Sequence, residues 1–449
     1  MRSGKLGLFD VTMIVISLVV GMGIFKTPVN VAREALSIEM FFIAWVIGGF
    51  VALCGALTYA EIGSRFPVTG GYYKIFSYSY HPSVAFAINC IILVSNAASL
   101  AGVALIGSEY LTNLFYAPGE DTEYIKIGLS AGAILTFYGV NLMGLKMSAR
   151  AQNILTVIKI ALVVMLIGAI FTGEGAAPAT AVMTAEQNPS WKEYITALGA
   201  CLIAVSFTYG GYQQTINFGG EVNNAPKVMP RGIFIGLAVI MVLYLLINYA
   251  YIYIIGFDQL KDAESIAAIL AGSIFGEKGF TVLSVMLFLS VLAYVNVLLM
   301  SNPRVMYAMS EDGVLPAIFR KKSRKTDVMV VSLSLFASLC MLTLFYGKTF
   351  DDILNHTIFL DSIGMATSAA TIFIIRRRTR HLDTRSIYTM KLYPLMPLIF
   401  IAAYLLVGTA IAINTPKAAW VSALIFLVFF LLYFLLRSIS GNNPEKKSS

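Results

Sequence analysis

Two short stretches carry most of the chemical possibility in this chain. Gly21-Met22-Gly23-Ile24-Phe25 and Phe207-Thr208-Tyr209-Gly210-Gly211 each put glycines near the centre of a long apolar run. Glycine lets a helix unwind and lets another group approach the backbone closely. Where a helix is interrupted, the N–H groups opening the next segment and the carbonyls closing the previous one lose their intrahelical partners. The amides of Gly23, Ile24 and Phe25 would then offer the positive end of a helix dipole to an anion. The carbonyls of Phe207, Thr208 and Tyr209 would face a cation. Two such ends can hold a small molecule bearing both charges without committing an ionised side chain.

A few polar side chains join them. An ionisable group near the middle of a bilayer costs several kcal/mol and is a functional candidate by default. Lys159 lies roughly 11 residues, or about 16 Å, inside its run, too deep to reach water by extending its stem. Its expected role is a fixed cation near the carbonyls of the first interruption, with proton transfer as a further possibility. Lys26 directly follows the first stretch, and Asp361 lies within another apolar run. These two could pair as a gate over an outer cavity or touch the ligand, and Asp361 could carry a proton. Tyr244 and Asn296 are polar groups in apolar runs, facing either a ligand or a neighbouring helix. No spacing suggests a metal site, and no cofactor motif is present. Gly128-Leu129-Ser130-Ala131-Gly132 matches G-x-S-x-G, but on an expected membrane helix rather than a strand-to-helix elbow, which argues against an enzyme.

The elements that must position these residues follow from composition. Of 449 residues, 58% are hydrophobic and only 12% charged, about half the usual charged share of ~25%. Apolar runs such as 41–60, 83–106, 154–171, 233–256 and 418–436 match the ~20 residues that cross a bilayer as helix. The ~10-residue alternating strands of a membrane barrel are missing. Twelve spans are expected, at about 7–33, 39–63, 82–115, 125–143, 148–171, 192–221, 229–256, 279–310, 328–347, 351–375, 393–413 and 417–437. Basic residues cluster on one side, as in Arg320–Lys325 and Arg376–Arg385, while Glu120, Asp121, Glu123, Glu174, Glu186, Asp258 and Asp262 fall on the other. The positive-inside rule then places both termini in the cytoplasm. The net charge of +8 therefore faces lipid headgroups rather than nucleic acid. All four cysteines lie in apolar runs, where they read as packing residues. The two interruptions sit at corresponding depths if spans 1–5 and 6–10 are repeats of opposite orientation, the pattern of an inverted-repeat transporter with a midplane site.

The motifs, in order and spacing, resemble the amino acid–polyamine–organocation superfamily, and within it the L-amino acid transporter branch. Gly21–Phe25 is similar to its G-S-G-I-F, Pro67–Tyr73 to P-x-[ST]-G-G-x-Y, and Phe207–Tyr212 to F-[AS]-Y-G-G-W. Asn224–Lys227 with Pro230-Arg231 is similar to N-x-P-K-x-x-P-R, and Glu311–Pro316 to the [RE]-D-G-x-L-P that follows span 8. Lys159, Tyr244, Asn248, Asn296 and Arg304 stand at positions the branch also marks. The resemblance implies an all-α membrane protein of twelve helices. A five-plus-five inverted repeat (about 7–171 and 192–375) carries broken helices 1 and 6, two extra helices cover about 393–437, and 444–449 form a disordered tail. It implies sodium-independent amino acid transport across the cytoplasmic membrane, often by exchange, with proton symport as the alternative. Gly21, Met22, Gly23, Ile24, Phe25, Phe207, Thr208, Tyr209, Gly210, Tyr244 and Asn296 would form the substrate site. Lys159 would stand in for a sodium ion, and Phe207 would lid the substrate. Met22 departs from the family's Ser; a thioether donates no hydrogen bond, so one carboxylate contact is lost. The loop Ala117–Lys126 lacks the Cys through which some members join an accessory subunit, so none is expected.

Overall fold

The apolar runs fold as helices because a chain in lipid can satisfy its backbone only within itself. A computed structural model describes residues 5–116, 120–172, 190–263, 265–345, 347–383 and 385–441; the predicted tail at 444–449 lies outside them. Helix α1 (Leu8–Val19) opens where the Asp10 carboxylate accepts the Gly7 N–H at 2.8 Å. It ends at Val19, a 3-10 turn takes Met22–Phe25, and α2 (Thr27–Glu34) continues with Pro28 in its first turn. There follow α3 (Ile38–Arg65), α4 (Gly71–Ser79), α5 (Pro82–Thr112), α6 (Glu123–Leu142) and α7 (Leu145–Ile167). The second half opens with α8 (Trp191–Thr208), whose start is closed by the reciprocal Ser190–Glu193 capping box. A 3-10 turn at Tyr212–Asn217 follows it. Then come α9 (Ala225–Ile255), the short α10 (Ile266–Phe275), α11 (Gly279–Glu311), α12 (Val330–Phe345), α13 (Gly347–Arg378), α14 (Leu395–Asn414) and α15 (Pro416–Gly441).

Among the described residues, ten helical stretches are long and apolar enough to cross a bilayer, within α3, α5, α6, α7, α8, α9, α11, α13, α14 and α15. Helices α1 and α12 are apolar but only 12 and 16 residues long. The glycine pair shortens α1, and this accounts for one of the two runs by which the count falls below the twelve expected.

Small residues set how closely the helices approach. Gly232 and Gly236 on α9 face Val11 and Val15 on α1, one helical turn apart in each case. A β-carbon at either glycine would come within 2.6 Å of a valine methyl, so α1 lies directly on the α9 backbone, the small-residue contact common between membrane helices. Helix α11 packs along α5 and α7, and α14 along α3 and α13.

At the C-terminal ends of α3 and α13 a fully buried carboxylate gathers its counter-ions. Glu61 accepts from Arg65 Nε and Arg376 Nε, each at 2.6 Å, and from the Met390 N–H at 2.9 Å. Arg376 also stacks on the Tyr393 ring at 3.7 Å. The loop motifs meet in a second cluster. Gly70 N–H donates to the Asn217 carbonyl and Tyr72 N–H to its side-chain oxygen, while Lys74 pairs with Asp312 and Arg304 with Glu221. Leu6 and Val222 bridge alongside. The segment after α8 is thereby fixed to α4 and α11.

Candidate functional site

The two interruptions meet. Gly211, at φ +112, lies so close to α1 that a β-carbon there would sit 2.3 Å from the Leu18 carbonyl oxygen. Only glycine combines that conformation with that approach. Thr208 Oγ donates to Thr27 Oγ at 2.8 Å, and Gly23 packs on the same threonine. The C-terminal ends of α1 and α8 and the turn Met22–Phe25 thus share one junction.

Around it the free carbonyls are answered one by one. Lys159, only 1% exposed, reaches from α7 and donates to the Val20 carbonyl at 2.6 Å, with the Ser17 carbonyl and hydroxyl at 3.5 and 3.4 Å. The hydroxyl of Ser17 donates on to the Ala293 carbonyl of α11 at 3.3 Å. The ammonium therefore stands at the negative end of α1, where the dipole favours a cation, and links α7, α1 and α11. Tyr244 places its hydroxyl between the Val19 carbonyl at 3.2 Å and the Thr208 carbonyl at 3.3 Å, the last turns of both interrupted helices. One phenolic proton is shared by two acceptors.

A cavity of about 330 Å³ opens beside the junction, within the ~300–1,000 Å³ range of small-molecule sites. Of the sequence-predicted residues, Gly21, Met22, Gly23, Phe207, Thr208, Gly210 and Asp361 line it. Phe207 is 38% exposed there and presents a large apolar face to the cavity. The amides at the start of the Met22–Phe25 turn are the ones a helix start leaves without intrahelical acceptors. Ile24 and Phe25 are buried within and behind that turn, and their side chains are not among the lining groups.

Four more predicted residues stand elsewhere. Tyr209 is buried in an aromatic cluster with Trp45 and Tyr244, its ring 5.1 Å from that of Tyr244. Tyr244 supports the junction from behind the cavity. Asn296 is fully buried in a hydrogen-bond network with Asn141, Gln152 Oε1 and the Ser148 carbonyl, which ties α11 to α6 and α7. Lys26 is exposed and does not line the cavity, and among the described residues it forms no ion pair with Asp361.

The cavity also contains residues that sequence reasoning passed over. Asn96 on α5 donates to Asn302 Oδ1 at 2.8 Å and to Gln214 Oε1 at 3.2 Å. Ser99 and Tyr294 share a hydrogen bond at 2.9 Å, and Gln213 accepts the Gly211 N–H at 2.9 Å. The available signal was polar residues at 95, 96 and 99, one turn apart on a single face of an apolar helix.

Comparisons with known proteins identify the family. A family profile described as amino acid permease matches residues 6–439. The serine/threonine exchanger of Bacillus subtilis is 27% identical over 439 residues, covering 96% of each chain. The b(0,+)-type amino acid transporter 1 of Mus musculus is 23% identical, covering 96% of this chain and 87% of its own. The human cystine/glutamate transporter is 25% identical, covering 81% and 72%. With nearly its whole length matched and its helices apolar enough to span a bilayer many times, this chain is a multi-pass membrane protein of the amino acid permease family, within the amino acid–polyamine–organocation superfamily.

Proposed function

We propose that this chain moves amino acids across the cytoplasmic membrane by alternating access, without sodium, exchanging one substrate for another. The observation that carries the reading is the Lys159 ammonium on the Val20 carbonyl. A fixed cation there answers the end of α1 and bridges to α11 through Ser17, leaving no need for a mobile ion at that point. The substrate carboxylate meets the amides of Gly21, Met22 and Gly23 that open the Met22–Phe25 turn, two residues earlier than the Gly23, Ile24 and Phe25 amides expected from the sequence, and the substrate ammonium meets the carbonyls ending α8. Phe207 covers the bound molecule. The Bacillus relative, described as an exchanger, supports the same mode. In this reading α1 with α2, and α12, also cross the bilayer, giving twelve spans with both termini cytoplasmic. Residues 7–171 and 192–375 are the two inverted repeats, and the interruptions of helices 1 and 6 lie at the midplane. No disulfide-linked subunit is needed.

The test is uptake of labelled amino acids into sodium-free vesicles carrying the purified protein. Preloaded vesicles should take up label and empty ones should not, with no response to an imposed proton gradient. Lys159→Ala should lower uptake about 100-fold or more, the scale of removing one partner from a buried charged contact, while the protein still elutes as a single folded species. Uptake into empty vesicles that follows the proton gradient would replace exchange by proton symport.

A further inference from the structure

Among the described residues, the central cavity holds one carboxylate and no countercharge. Asp361 of α13 is exposed into the cavity, beside Met365 and Tyr404. It takes part in no hydrogen bond or ion pair among the described residues. The buried cations of the neighbourhood are committed elsewhere, Lys159 to Val20 and Arg304 to Glu221. Among the described residues, the other ionisable side chains lining the cavity are the phenols Tyr294 and Tyr404. A second cavity of about 210 Å³ adjoins at Asp361 and is apolar, with Ile88, Ile91, Leu360 and Phe426 in its walls.

A carboxylate in a partly dehydrated space costs free energy until a countercharge reaches it. The two interrupted helices answer an amino acid's own carboxylate and ammonium with dipoles, which add no net charge. One negative charge is therefore left over when an ordinary zwitterion is bound. A cargo with one further positive group balances it. Resting on the amino acid reading above, we propose that the preferred cargo is a basic amino acid whose side-chain cation pairs with Asp361. Its aliphatic stem has the apolar walls next to Asp361 to lie against. Neutral amino acids leave Asp361 unpaired, and acidic ones bring a second carboxylate towards it, so the order of affinity is basic, then neutral, then acidic.

The experiment is competition against labelled uptake in vesicles, using lysine, ornithine, leucine, serine and glutamate, with the intact protein, Asp361→Asn and Asp361→Glu. The intact protein should favour lysine and ornithine over leucine. Asp361→Asn should cut the lysine-to-leucine preference at least about 30-fold, the lower end of losing one partner of a desolvated charge pair. A single folded peak on size-exclusion chromatography with an unshifted unfolding temperature shows that the variant folds, and Asp361→Glu should keep the preference. An unchanged lysine-to-leucine ratio in Asp361→Asn overturns the proposal. So does a variant that loses only its response to a proton gradient, which would make Asp361 a proton carrier. If the intact protein takes up no amino acid at all, the amino acid reading falls first and this inference falls with it.

Discussion

Glu61 and Lys159 are both buried charges, and the chain treats them in opposite ways. Glu61, where α3 and α13 end, is surrounded by two guanidinium groups and a backbone N–H. Lys159, at the junction of the interrupted helices, has no carboxylate partner among the described residues and rests on two carbonyls and a hydroxyl. Full neutralisation by charges of fixed position makes a rigid clasp, because removing one member strands the others. Neutralisation by dipoles leaves a site where contacts can be exchanged at smaller cost. The part that must hold still and the part that must bind and release are thus distinguished by how their charges are met.

This contrast can be broken at several points. The largest effect belongs to the clasp. Glu61→Gln leaves Arg65 and Arg376 facing each other in a buried place, and should destabilise the protein by about 3–5 kcal/mol. Thermal unfolding in detergent would show it, while substrate preference in the surviving folded fraction stays unchanged. A shift in preference instead would mean that the clasp and the cavity are not separate. Tyr244→Phe comes next. It removes the one proton shared by the ends of α1 and α8, leaving two buried carbonyls short of a donor, at about 1–3 kcal/mol. Transport rates should fall roughly tenfold or more, with little loss in the proportion of folded protein. The smallest effect on transport is expected at Asn296. Its bonds run to Asn141, Gln152 and Ser148 rather than into the cavity. Asn296→Ala should cost about 1–3 kcal/mol of stability and leave substrate affinity where it was. A changed affinity would return Asn296 to the binding site.

The position of these groups was unevenly legible in the chain. The glycine pairs were visible because they interrupt long apolar runs, and Lys159 because a lone amine in such a run has so few explanations. Tyr244 and Asn296 looked alike in sequence, both polar groups among apolar neighbours. Folding separated them, one to the junction and one to a network between α11, α6 and α7. Asn96 and Gln214 escaped notice because an amide inside a membrane helix looks the same whether it faces another helix or a cavity. That difference is made only when α5 and the segment after α8 are brought side by side. The count of crossings was least secure at α1, where the interruption that builds the site also removes the length by which a crossing is recognised.

The tether on Lys159 has an electrical consequence. An ammonium held by a side chain cannot leave on either side of the membrane, so in the sodium-free exchange mode proposed above the cycle dissipates no ion gradient. The charge displaced in each cycle is then that of the cargo alone. For a cargo with one net positive charge, a potential of 100 mV, negative inside, supplies about 2.3 kcal/mol per molecule, roughly a 50-fold accumulation at equilibrium. Exchange of one such cargo for another of the same charge moves no charge and is indifferent to voltage. In the proposed mode, with an anchored cation in place of a diffusing one, the partner carried back decides whether membrane voltage drives the cycle.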